Sequence, residues 1–127
     1  MKLTLLLDTH ALLWWLAADP RMPASVRSEI EEPSHRVLAS AASAWEISIK
    51  SQLGKLEAPT NLLEAVEATG LEWIAIEPSE SITAGRLPLH HRDPFDRLLI
   101  AQAASRSARL VSRDAALDDY EVDRLWS

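Results

Sequence analysis

Four carboxylates are placed where a protein chain can do chemistry. Asp8 closes the first apolar run, Glu46 sits at the edge of an apolar helical stripe, Asp96 lies in the first turn of a long predicted helix, and Asp114 follows a late apolar run. Strand ends and helix starts around one sheet edge can bring all four together, and without cations they would repel severely. Mg²⁺ or Mn²⁺ resolves that conflict, because these hard ions take oxygen ligands, keep several waters and need only a few carboxylates plus substrate phosphate oxygens. The chemistry that follows is metal-assisted phosphodiester hydrolysis, in which bound ions lower the pKa of a water and neutralise charge on the leaving oxygen.

Each acid also has a purely structural explanation. Asp8 can cap the helix that begins at Thr9, and Asp114 the turn after its strand. Asp93, Pro94, Phe95 and Asp96 read as N-cap, N1, N2 and N3 of one helix start, favoured by the helix dipole. Glu46 fits this pattern less well: Ala42, Trp45, Ile49 and Leu53 form one apolar stripe at about 100° per residue, and Glu46 falls at its edge. Its simplest structural role is an ion pair with Lys50 one turn on.

The elements that must position these residues alternate in type. Leu3 to Leu7 reads as a strand buried on both faces, followed by a helix from Thr9 to about Ala18 and a second from Pro23 to Glu32. Arg36 to Ala39 is a weak second strand, and Ala41 to Leu53 a helix stopped by Gly54. Thr60 is the expected cap of a helix ending at Gly70, Leu71 to Ile76 a third strand, and Ser79 to Arg86 a short helix. A long helix from Asp93 to about Ser107, a strand at Arg109 to Ser112, a short helical turn and a fifth strand at Val122 to Trp126 complete the chain. Such alternation predicts an α/β fold, a three-layer α/β/α sandwich around a central, mostly parallel sheet of four to five strands. Ligands gather at the carboxyl ends of such strands, where Asp8 and Asp114 stand.

Composition narrows the alternatives. The length of 127 residues predicts one domain, residues 1–127, and 47% hydrophobic with 25% charged residues is ordinary for a folded globular chain. A formal charge of −6 argues against binding nucleic acid by bulk charge, so metal ions or a local basic patch would have to do it. With no cysteine, disulfides, cysteine-ligated zinc and thiol nucleophiles are excluded. The opening leucine run resembles a signal peptide until Asp8 and His10 interrupt it, and it is too short to span a bilayer, so a cytoplasmic protein without membrane association is expected.

The segments LLLDTHALLWWL, SAWEISIKSQLGKL, HHRDPFDRLLIAQA and LVSRDAAL resemble the successive motifs of the PIN-domain ribonucleases, specifically the VapC-type toxins of VapBC toxin–antitoxin pairs. The match runs through nearly the whole chain in the family's order. It implies a PIN-like fold and a metal-dependent endoribonuclease acting on RNA. The Mg²⁺ or Mn²⁺ ligands would be Asp8, Glu46, Asp96 and Asp114, with Ser112 as the small hydroxyl residue beside the metal. It also implies a cognate antitoxin that wraps the protein and blocks the site, and a homodimer with contacts through the first helices. Asp93 resembles a subgroup with an Asp-Pro-Phe-Asp helix start and is expected to cap, at the margin of the metal.

His90, His91, Arg92 and Arg97 bracket Asp96, Arg113 adjoins Asp114, and these cations are candidates to hold substrate phosphates, a solvated charged loop being the equally simple alternative. The four histidines lack the spacing of a histidine metal site and are expected to be exposed or structural. Of Trp14 and Trp15, one is expected in the core and the other in an exposed patch; Trp45, Trp73 and Trp126 are expected in the core. Two other functions fit less well. An aspartyl-phosphate phosphatase would need a second acid where His10 stands, and a phospho-receiver would need a late lysine, whereas all three lysines lie at or before position 55. A member of the family that binds RNA or protein without cutting it remains the non-enzymatic alternative.

Overall fold

The computed structural model describes residues 2–126. Five strands form one sheet in the order β3-β2-β1-β4-β5, every neighbouring pair parallel: β1 (Thr4–Leu7), β2 (Arg36–Ser40), β3 (Glu72–Ile74), β4 (Arg109–Val111) and β5 (Arg124–Leu125). Helices α1 (Thr9–Leu16), α2 (Ala24–Glu31), α3 (Ala41–Gln52), α4 (Leu62–Ala68), α5 (Pro78–Arg86) and α6 (Pro94–Ser105) connect the strands, with a 3₁₀ turn at Ala115–Asp119. No helix among the described residues is long and apolar enough to cross a membrane.

The central strand shows why the sandwich has three layers. Leu5, Leu6 and Leu7 are all fully buried, yet successive side chains of a strand point to opposite faces. Leu5 and Leu7 join Val37, Ala39 and Val111 beneath Ala11, Leu12, Val26, Ile30 and Val66, residues of α1, α2 and α4. Leu6 joins Leu38 and Leu110 beneath Leu99, Ile100 and Ala103 of α6. An unbroken apolar run is therefore what a strand covered on both faces requires.

Predicted elements and observed ones agree in order, with shorter ends. The third strand is only Glu72–Ile74, paired with Leu38 to Ser40; past Ser40 the neighbouring chain turns into α3, so Ala75 and Ile76 have no strand to pair with. The helix expected from Thr60 starts at Leu62, with Asn61 at the cap position and no side-chain cap bond. Gly54 does end α3: at φ +71° its amide donates to the Ser51 carbonyl and the Lys55 amide to the Lys50 carbonyl, the paired bonds that close a helix through a left-handed residue.

The strand order sets the site. From β1 the chain steps outward through β2 to β3, then returns past β1 to lay down β4 and β5. The crevice at the carboxyl ends of β1 and β4 is thus the point where the winding reverses, the position at which open α/β sheets bind ligands.

Candidate active site

Asp8 leaves β1 into that crevice. Its amide donates to the Val111 carbonyl at 3.0 Å, which ties it to β4, and its carboxylate accepts from the Ala11 amide at 2.9 Å, capping α1. Only 7% exposed, the carboxyl has its pKa raised chiefly by burial; hydrogen bonds from Ser112 and the Ala11 amide oppose the shift, and the nearby Glu46 charge adds to it. Ser112, fully buried at the end of β4, also accepts from the Asp114 amide at 3.1 Å. The capping function expected of Asp8 is therefore real, and it coexists with burial that disfavours the ionised carboxylate.

Glu46 reaches the same place from the middle of α3, which follows β2. It is 4% exposed, so the stripe-edge position is a buried one. The Thr9 hydroxyl donates to Oε1 and the Lys50 ammonium to Oε2, so the expected ion pair with Lys50 is present but partly buried rather than solvated. Thr9 also lies 3.1 Å from the Ser43 hydroxyl, which ties the start of α1 to α3 a second time.

Asp96 enters from the first turn of α6. Asp93 caps that helix as expected, accepting from the Phe95 amide at 2.8 Å and the Asp96 amide at 3.2 Å. The Asp96 pKa is pushed up to about 6, first by burial and then by the Asp93 charge; a hydrogen bond with His91 works against the shift, and the Asp8 charge works with it. Asp114, half exposed, caps the 3₁₀ turn through the Ala116 amide at 3.0 Å. His91 Nε2 stands 2.8 Å from an Asp96 oxygen and 3.8 Å from an Asp114 oxygen. Asp8 thus feels the charge of Glu46 and Asp96 that of Asp8, while Asp114, just past β4, is joined to Asp96 through His91.

A cleft of about 350 Å³ opens beside them, lined by Asp8, His10, Trp14, Arg113, Asp114 and Ala115. It adjoins a larger depression of about 680 Å³ that shares His10 and Trp14 and extends to Arg21 and Lys55. The larger one is lined by none of the four acids, the smaller by Asp8 and Asp114.

The fold is matched by known proteins. The family model described as the PIN domain matches residues 5–123. The chain belongs to the PIN-domain family. Within it the chain is VapC-like, being 31% identical over 125 residues, 95% of each chain, to Ribonuclease VapC22 of Mycobacterium tuberculosis. Two solved structures share the fold. VapBC2 of Rickettsia felis bound to a promoter DNA fragment matches with a TM-score of 0.70 at 14% identity, covering 98% of this chain and 100% of that one. DNA-bound VapBC of Salmonella typhimurium matches with a TM-score of 0.71 at 20% identity and 96% of each chain.

Several expectations for this PIN domain need correction. Arg97 is no phosphate-binding candidate: 6% exposed, it points away from solvent and donates to the carbonyls of Pro88 and Leu87 at 2.9 Å each and of Ala84 at 2.9 Å. Its guanidinium fastens the α5–α6 connection to α6. Arg113 does line the cleft, its guanidinium 5.7 Å above the Trp14 ring, and Arg92 is exposed on the loop before α6. Trp45 is 59% exposed and meets Phe95 edge-on, since its side of the apolar stripe looks outward past α6. Trp14 and Trp15 do not split into one buried and one exposed ring. Both are half-buried against the same core cluster, Trp15 with its indole N–H donating to Thr69, while Trp73 and Trp126 pack at that cluster's margin.

His91 lies among the acids, where histidine spacing alone did not place it. His35 is structural, as expected, its Nδ1 2.9 Å from the Glu29 carbonyl oxygen, but His91 is turned into the acidic group. Its five-residue distance from Asp96 was the available signal. Spacing rules for histidine sites look for a second histidine or cysteine, and here the partners are carboxylates from two other segments.

Proposed function

We propose that this PIN domain is a metal-dependent endoribonuclease of the VapC type, the toxin of a VapBC pair, acting in the cytoplasm and held inactive by a cognate antitoxin. The observation that carries the reading is the convergence of Asp8, Glu46 and Asp96, from three separate elements, beside Ser112 and Asp114 in the crevice between β1 and β4. Its chemical direction comes from the similarity to Ribonuclease VapC22. RNA is the substrate, and a second copy of the chain and an antitoxin are the protein partners, as VapC resemblance implies.

The donor set fits a divalent ion. Burial disfavours the anionic forms of Asp8 and Asp96, and each also faces a neighbouring carboxylate charge, so the folded site crowds oxygen donors into the environment that Mg²⁺ or Mn²⁺ relieves. Asp8, Glu46, Asp96 and Asp114 are the residues that would hold it, with Ser112 at its margin. When bound, such an ion lowers the pKa of an attacking water and neutralises charge on the phosphodiester.

The chain's own residues do the positioning. Thr9 and Lys50 fix the Glu46 carboxylate from both sides, and the Ala11 amide and Ser112 fix Asp8. Locked rotamers of this kind hold the productive geometry without reorganisation at the moment of reaction. Arg113 at the cleft and the exposed Arg92 supply positive charge for the flanking phosphates, which an acidic chain otherwise lacks.

The test is cleavage of end-labelled total RNA by the purified chain in Mg²⁺ or Mn²⁺, beside the Asp8→Asn variant and a chelator control. Cleavage lost in both controls, with the variant still folded, is the expected result. Undiminished cleavage by Asp8→Asn would overturn the assignment, and no cleavage by antitoxin-free protein that binds metal would move the domain to the non-cleaving readers of RNA or protein.

A further inference from the structure

We infer that His91 is a direct nitrogen ligand in the metal centre, together with Asp96 and Asp114, and that it turns the centre toward first-row transition ions such as Mn²⁺ and away from Mg²⁺. This inference rests on the proposed metal site and deepens it.

Three donors from three segments meet here. His91 Nε2, a carboxylate oxygen of Asp96 and one of Asp114 all lie within 4.8 Å of one another. Donors bound to one ion at about 2.1 Å are at most about 4.2 Å apart, so the group needs only a small closure to share an ion. The imidazole is also held in place from outside the site. The His91 amide donates to the Tyr120 hydroxyl at 2.8 Å, and the His91 carbonyl accepts from Arg97 at 3.2 Å. Tyr120 and Arg97 are both buried, so the loop that carries His91 is pinned through its backbone while its side chain faces the acids.

A histidine facing two carboxylates has two available roles. As an outer partner it would donate to a carboxylate and orient it; as a ligand it would use the Nε2 lone pair. Without metal, Nε2 shares a proton with Asp96 at 2.8 Å; a bound ion would take that proton's place, and the placement favours this second role because oxygens of two different candidate ligands, Asp96 and Asp114, lie within 4.8 Å of Nε2. The choice of metal follows from the donor. Mg²⁺ takes oxygen ligands and parts reluctantly with water, whereas imidazole nitrogen is a good ligand for first-row transition ions, whose affinity for nitrogen rises along the series. Asp114 then acquires a function beyond capping, as the second carboxylate that closes on the ion.

The experiment uses the full chain, stripped of metal by a chelator and freed of antitoxin. Mn²⁺ and Mg²⁺ are titrated separately by calorimetry into the unaltered protein, His91→Ala and Asp8→Asn, and the Mn²⁺-loaded samples are examined by electron spin-echo spectroscopy for ¹⁴N coupling. The expected result is a ¹⁴N signal that vanishes in His91→Ala, with Mn²⁺ affinity falling about tenfold or more and Mg²⁺ affinity falling less. The Ala variant keeps the backbone bonds to Tyr120 and Arg97; should it fail to fold, the ¹⁴N signal of the unaltered protein decides alone. Metal binding without ¹⁴N coupling overturns the His91 assignment and leaves the proposed metal site standing. Binding of neither ion overturns both.

Discussion

The hydroxyl of Thr9, the residue after the buried Asp8, donates to the carboxylate of Glu46 thirty-seven positions away. One bond therefore couples the cap of α1 to the middle of α3, and two of the proposed metal ligands cannot shift independently. Thr9→Val keeps the shape and removes the donor. It is expected to cost about 1–3 kcal/mol, the range for losing a hydrogen bond to a buried charged group. Metal affinity should fall with it, because Glu46 would then be held by Lys50 alone. Urea unfolding and calorimetric titration measure the two effects, and a variant as stable as its parent would show that this bond contributes nothing.

Acid titration should reveal the crowded carboxylates. Asp96 has its pKa raised to about 6 from an ordinary 3.8, and Asp8 is raised as well. For these groups the folded protein binds more protons than the unfolded chain between the ordinary and the raised values, so unfolding free energy falls as pH rises through that window. Metal-free protein is expected to melt at a lower temperature at about pH 7.5 than at about pH 5 from this contribution. Asp96→Asn, which is neutral throughout, should flatten the dependence. A variant with an unchanged pH profile would place the origin elsewhere.

Metal addition should act in the opposite sense. A divalent ion that binds only the folded state raises the melting temperature with concentration, by RT ln(1 + [L]/Kd) in free energy. The rise is expected in the unaltered chain at neutral pH and should be lost or strongly reduced in Asp8→Asn, although removing that buried charge can itself stabilise the metal-free protein. Thermal shift with and without Mn²⁺ checks both parts.

Arg97 should behave as a structural residue. Replacing it by Met removes its bonds to the carbonyls of Ala84, Leu87 and Pro88; Pro88 keeps the Tyr120 hydroxyl and Ala84 the Leu87 amide, which leaves the Leu87 carbonyl as the main loss. The expected cost is about 1–3 kcal/mol. Because the same guanidinium pins the loop bearing His91, metal affinity should weaken too. Denaturant midpoints decide the first point; a change within error would return Arg97 to the solvated loop that its sequence neighbourhood implied.

Trp45 and Leu38 should separate exposed from buried apolar residues. Trp45→Ser is expected to change stability by about 1 kcal/mol or less, its main neighbour being the edge of Phe95. Leu38→Ala, fully buried, is expected to cost about 2–5 kcal/mol. Comparable losses in both would mean that Trp45 is covered in solution.

The sequence by itself determined the order and type of nearly every element, the double burial of β1, the caps Asp8, Asp93 and Asp114, and the closure of α3 at Gly54. These are local matters: strand and helix periodicity, capping and left-handed glycine all act within a few residues, so their signals sit together in the chain. Tertiary structure alone decided the burial of Glu46, the outward face of Trp45, the inward turn of Arg97 and the place of His91 among the acids. Periodicity tells at what angle a side chain leaves its helix, but not which distant segment covers it. Glu46 is buried because α1 brings Thr9 across it, and Arg97 because the α5–α6 connection turns its carbonyls inward. His91 faces carboxylates because Tyr120, from after the 3₁₀ turn, holds its backbone. Each of these depends on contacts between residues distant in the chain, which exist only once the sheet has assembled.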